Sequence, residues 1–288
     1  MHAPTMIDAE FTGRTLWPRI LAEAEQPAGS EHVLTPLIAD CVTSRADLAD
    51  AICSRIASLL APPLVSASLL TALRLLVAED ATILSAAGAD IAAVLERDPA
   101  TTKALHVLLH AKGFLAIQAH RIAHALWKAD RRELALHIQG CASRALQVDI
   151  HPAAQLGAGV LFDHATGIVI GETTVIEDNV SILQNVTLGG TGKEQGERHP
   201  KVRHGVLIGA GATVLGNIEI GANARIGAGS VVLKPVAPGT TVAGVPARVL
   251  RQHGSVEPSR TMDQLFEAGQ PSYDVGPQNP SASSGTPQ

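Results

Sequence analysis

The chain has 288 residues, 46% of them apolar and 17% charged, with a formal net charge of −5. That excludes a disordered chain and suits one large or two modest domains. A small net charge without a Lys/Arg block gives no electrostatic reason to expect nucleic acid or an anionic membrane as partner. A small or neutral partner fits better.

From the N-terminus to about residue 146 the text is rich in Ala and Leu with spaced charges. Leu105, Leu108, Leu109, Ala116 and Ile117 fall at helical spacing on one stripe. Ile122, Leu126 and, after a break near Asp130, Leu134 and Ile138 continue it. Pro62-Pro63 and Asp98-Pro99 mark boundaries, since proline lacks the amide hydrogen and pushes its predecessor out of helical geometry. No uninterrupted apolar run reaches the roughly 18 residues of a membrane helix, and the first thirty residues lack the pattern of a secretory leader. The chain is therefore expected in the cytoplasm. Cys41, Cys53 and Cys141 are too few and too scattered for a zinc knuckle or disulfide framework, and read as three thiols packed in helices.

At Ile150 the grammar changes. Apolar residues fall every six positions at Ile150, Leu156, Phe162 and Ile168, then, after a slip of two residues, at Ile170, Ile176, Ile182 and Leu188. The frame resumes at Val202, Ile208, Val214, Ile220, Ile226 and Val232. A period of six suits short strands joined by corners with one inward side chain per face, a parallel β-helix of triangular section. The polar text "LGGTGKEQGERHPKV" from Leu188 to Val202 exceeds two hexads by two residues and should leave the coil as a loop, where function concentrates. The expected organisation is α+β: a helical domain over 1–146, a β-helix over 147–252 with a loop at 189–201, and a tail over 253–288 rich in Ser, Pro, Gly and Gln.

Four segments break the monotony of the coil: "VDIHP" at 148–152, "FDHATG" at 162–167, "GGTGKEQGERHP" at 189–200 and "AGVPARVL" at 243–250. With the helical "ERDPA" and "KGFLAIQAHRIAHALW", the chain resembles the serine acetyltransferase family over about residues 85–250. The resemblance implies a left-handed β-helix and transfer of acetyl from acetyl-CoA to serine, the first step of cysteine synthesis.

The chemistry also follows from the residues. Acyl transfer from a thioester to an alcohol needs a base for the hydroxyl proton, and imidazole serves near neutral pH. His164 is that base, and Asp149, fifteen residues earlier, falls on a neighbouring rung as the carboxylate that fixes its tautomer. Before the resemblance is added, Asp149 reads equally well as a cap on the first coil, and Arg198 and His199 read as solvated loop residues. The resemblance implies that Asp98 and Asp163 hold the amino group of serine, Arg198 its carboxylate, and that His199 shares the pocket. It places acetyl-CoA between subunits against Gly190, Thr191, Ala210 and Ala228, with Arg225 or Lys234 near phosphate. The oxyanion donor is expected to be a backbone amide.

Further implications are a trimer, pairing of trimers into a hexamer through the helical halves, and feedback inhibition by cysteine. Relatives that dock into O-acetylserine sulfhydrylase typically end in Ile; this sequence ends "SASSGTPQ", so tail insertion into that partner is not expected. No metal is expected. Three alternatives stay open: transfer to another alcohol such as homoserine; a γ-type carbonic anhydrase using His151, His164, His199 or His204 as zinc ligands; and a scaffold that only presents the tail.

Overall fold

The computed structural model describes residues 13–60, 71–77, 80–192, 195–252 and 257–265. The Pro62-Pro63 boundary lies outside the described residues. Helices α1 (Gly13–Ser30), α2 (Leu48–Leu60), α3 (Ala81–Arg97), α4 (Ala104–His110), α5 (Lys112–Lys128) and α6 (Arg132–Leu146) form the N-terminal part. The stripe expected to run unbroken from Leu105 to Ile117 is interrupted at Ala111, whose ψ of 98° is extended rather than helical. Both halves of the stripe are nevertheless buried. The turn after α5 falls at Asp130, in left-handed geometry at φ 56°. Cys41, Cys53 and Cys141 are buried free thiols. Among the described residues no helix is long and apolar enough to cross a membrane.

The β-helix begins at once. Strands β1 (Val148–Ile150), β4 (Ile168–Ile170), β7 (Thr187–Gly189), β10 (Thr213–Leu215) and β13 (Val231–Val232) stack as sheet A. Sheet B holds β2 (Gln155–Leu156), β5 (Val175–Ile176), β8 (Lys201–Val202) and β11 (Glu219–Ile220). Sheet C holds β3 (Leu161–Phe162), β6 (Ser181–Ile182), β9 (Leu207–Ile208), β12 (Arg225–Ile226) and β14 (Thr240–Gly244), with β15 (Ala247–Gln252) folding back antiparallel on β14. The inward aliphatics Ile170, Ile176, Ile182, Leu188, Val202, Ile208, Val214 and Ile220 are each at most 2% exposed. The solenoid is a left-handed β-helix of hexapeptide repeats, about five turns long.

Register shows where the repeat is broken. Thr213 pairs with Val231, an ordinary coil of 18 residues. Asp149 pairs with Val169, 20 residues on, and the two extra residues lie in the corner after β3. Thr187 pairs with Thr213, 26 residues on, so the loop after β7 adds eight residues within a single corner. This corrects the sequence reading of that segment as two hexads and two residues.

The helical part docks on sheet C and the first corners. Asp90, fully buried on α3, takes two hydrogen bonds from Arg121 Nη2 on α5 (2.8 and 3.1 Å) and one from the backbone N–H of Val160 (2.9 Å). Arg121 also donates to the carbonyls of Leu156 (3.2 Å) and Gly157 (2.6 Å). Gly113 lies so close to β3 that an added Cβ would stand 1.9 Å from the carbonyl oxygen of Phe162. The tail expected from residue 253 differs over 257–265: helix α7 (Pro258–Thr261) packs back on the coil, with Pro258 and Ser259 buried.

Candidate active site

The three sheets meet in three columns of corners. Asp163 and His164 stand in the corner from sheet C to sheet A, at the top of the column that holds Ala210 and Ala228 lower down. His151, Glu172, Thr173, Gly190, Thr191, Arg198 and His199 stand in the corners from sheet A to sheet B, at the other end of the same face.

The first cluster is built by the two-residue slip. His164 and Ala165 both take left-handed backbone geometry, at φ 55° and 61°. Such residues are costly outside glycine and gather at functional sites. The corner is closed by its own backbone: Ala165 N donates to Asp163 O at 2.6 Å and Thr166 N to His164 O at 2.8 Å. Lys112, at the start of α5, adds a bond from its Nζ to Thr166 Oγ1. The fold thereby pushes the His164 side chain outward, 74% exposed, with its Nε2 3.9 Å from Asp163 Oδ1. Next below it in the column stand Leu183, Gln184, Asn185 and Val186, with Asn185 exposed; the two corners further down contribute Ala210 and Ala228, each flanked by glycine, and an added Cβ on Gly229 would meet nothing within 4 Å. Those two lower corners form a strip of small residues.

The second cluster is a knot around Thr173. Its Oγ1 accepts from the backbone N–H of Arg198 and of His199, both at 3.1 Å. His199 Nδ1 accepts from Thr173 N–H at 3.1 Å, which in the neutral ring places the proton on Nε2. The ring is 7% exposed and lies over Gly171, where an added Cβ would stand 2.0 Å away. Burial pulls the His199 and His151 pKa values below the ordinary imidazole value, Arg198 acting the same way on both. Arg198 donates to Glu172 Oε2 at 2.5 Å, and that bond holds the Glu172 carboxyl below the usual range. The loop thus holds a guanidinium, paired with Glu172, near two histidines whose pKa values burial lowers.

One expected contact between side chains is not made, and one candidate residue already has a partner. The carboxylate of Asp149, expected on the imidazole of His164, instead accepts from Gln139 Nε2 of α6 at 2.7 Å. It lies on the His151 side of sheet A and acts on the charge of that ring. Arg225, expected near phosphate, is 7% exposed and paired with Asp263 at 3.1 Å, because the segment at 257–265 covers it. Lys234 is exposed. Asp98 caps the C-terminal end of α3, its oxygens accepting from Ala100 N (2.8 Å) and Thr101 Oγ1 (2.7 Å), and it lines a cavity of about 460 Å³. Glu172, Thr173 and Gln139 were not singled out from the sequence; "GETT" looks like any other corner until the loop is seen to close on it. Of the four histidines weighed as zinc ligands, His164 occupies one column, His151 and His199 another, and His204 the corner from sheet B to sheet C.

A hexapeptide coil with an outward histidine at one corner and corners of small residues lower in the same column defines a class, the hexapeptide acyltransferases. The family pattern described as bacterial transferase hexapeptide (six repeats) matches residues 199–234. That described as serine acetyltransferase, N-terminal, matches residues 16–119. The serine acetyltransferase of Salmonella typhimurium is 51% identical over 265 residues, covering 91% of this chain and 96% of its own. A soybean serine acetyltransferase complexed with serine superposes with a TM-score of 0.80 at 49% identity, over 86% of this chain and all of its own. One from Brucella abortus in complex with coenzyme A gives 0.81 at 47% identity, over 84% and 97%. The chain belongs to the serine acetyltransferase family.

Proposed function

We propose that this enzyme transfers acetyl from acetyl-CoA to the Oγ of L-serine, giving O-acetylserine and CoA. The observation that carries it is the Asp163-His164 corner, extruded by two left-handed residues in the same column as the small-residue corners at Ala210 and Ala228. His164 takes the hydroxyl proton as Oγ attacks the thioester carbonyl, and returns it to the departing thiolate. Asp149, released from Gln139, holds the other ring nitrogen and stabilises the imidazolium. A backbone amide receives the oxyanion. Asp98 and Asp163 take the ammonium group; Arg198, with His199 beside it, takes the carboxylate.

Because the His164 and Arg198 clusters occupy different corner columns, a complete site is made where the first column of one copy meets the second column of another. A cyclic trimer provides three such junctions, and the helical parts pair trimers into a hexamer. Acetyl-CoA runs along this junction against Gly190, Thr191, Ala210 and Ala228. With Arg225 taken by Asp263, phosphate recognition passes to Lys234. L-Cysteine, with Sγ in place of Oγ, fits the same charges and inhibits in competition with serine. The enzyme works in the cytoplasm.

Release of CoA thiol from acetyl-CoA, measured with L-serine, with L-homoserine and with no alcohol, tests the reading. Serine should drive release, and the extra methylene of homoserine should lower kcat/KM by roughly 10- to 200-fold. Equal rates with all three would overturn the substrate.

A further inference from the structure

Three consecutive residues end α3, and each is held by a different part of the chain. Glu96 accepts from Arg260 Nη1 at 2.9 Å, and Arg260 is braced by Glu257 at 2.6 Å. Arg97 runs into the coil with its side chain only 1% exposed, donating to Gly159 O (3.0 Å), Ser181 Oγ (3.1 Å) and Asn179 Oδ1 (3.3 Å). Ser181, itself fully buried, donates its hydroxyl to the carbonyl of Ser259 at 2.9 Å. The third residue is Asp98.

The 257–265 segment is thereby tied to the end of α3 twice, through Arg260 and through Ser259. It is tied to the coil by Ser259 N–H to Gly205 O (3.3 Å) and by Asp263 to Arg225 (3.1 Å). A peptide that only covered apolar surface would need none of these polar bonds. Burial pushes the Arg97 pKa down to about 10, and its Nε has no hydrogen bond, only Glu96 Oε2 at 4.0 Å, so this cation stays in place because the surrounding acceptors hold it.

We propose that residues 257–263 are a clip that fixes Asp98 for the ammonium group of the amino-acid substrate, acting through Glu96 and Arg97. Arg260 is then a positioning residue that touches no substrate. The inference rests on Asp98 as an ammonium ligand, which belongs to the serine reading above. A ligand that contributes equally to ground state and transition state appears in KM and leaves kcat alone, and small displacements of such groups cost affinity steeply.

The test uses the full chain, with Arg260→Ala, Arg260→Lys and a truncation after residue 256. Arg260→Ala and the truncation should raise KM for serine by about tenfold, with kcat and KM for acetyl-CoA within about twofold; the lysine variant should recover most of the loss. Hydrogen exchange at the Ala100 and Thr101 amides, which bond to Asp98, should quicken in both weakened variants. Unchanged exchange with unchanged KM for serine overturns the clip. So does a proportional fall in every kinetic constant that tracks lost folded protein. Quickened exchange in a chain without serine-dependent activity upholds the clip and removes the substrate reading instead.

Discussion

His164 sits on a backbone few residues tolerate, with an adjacent alanine in the same left-handed geometry. That strain has a use: it turns one ring outward from a wall of aliphatics, where an ordinary corner would turn in or place a small residue. Replacing His164 with Ala should lower kcat by about 10² to 10⁴-fold while the melting temperature stays near native, since the ring is exposed and packs against little. Steady-state rates with a thermal melt decide it; an unchanged kcat would end the general-base assignment. The adjacent Asp-His pair was legible in the sequence because nothing structural requires it at a corner. The Asp149 contact was not: spacing gave the neighbouring rung, but Gln139, on a helix ten residues earlier, competes for the same carboxylate. The Arg225–Asp263 pair was hidden for a related reason, as Asp263 lies in a segment whose composition predicts a tail.

Among the elements, the hexad rule was readable because each coil face needs one inward aliphatic, and every frame break appeared as a slip. Periodicity fixes an insertion only modulo six, however. Eight extra residues in one corner look the same as two residues after an added hexad, and register was needed to tell them apart. The helix break at Ala111 escaped for the opposite reason, since the apolar stripe continues across it. One link between the helical part and the coil is the buried pair of Asp90 and Arg121, side chains 0% and 8% exposed, whose atoms also bond to Val160, Leu156 and Gly157. Arg121→Ala leaves a buried carboxylate facing only Gln118 and the Val160 amide, and should cost about 3–5 kcal/mol in urea unfolding. A loss below about 1 kcal/mol would mean that the two parts do not depend on this pair.

At the scale of the whole molecule, one chain carries His164 and Arg198 at opposite ends of sheet A. The hexad spacing does not show which corners of neighbouring copies meet, because a repeat only places residues on corners. The central claim is that the reaction occurs where two copies join, with His164 from one and Arg198 from the next. It is tested most directly by mixing two crippled variants, His164→Ala and Arg198→Ala, through co-expression with different tags and isolating the mixed oligomers. In a random one-to-one cyclic assembly about a quarter of the junctions combine both intact corners, so activity should return to about a quarter of native. If the mixed oligomers are no more active than the two variants assayed apart, the shared site is wrong.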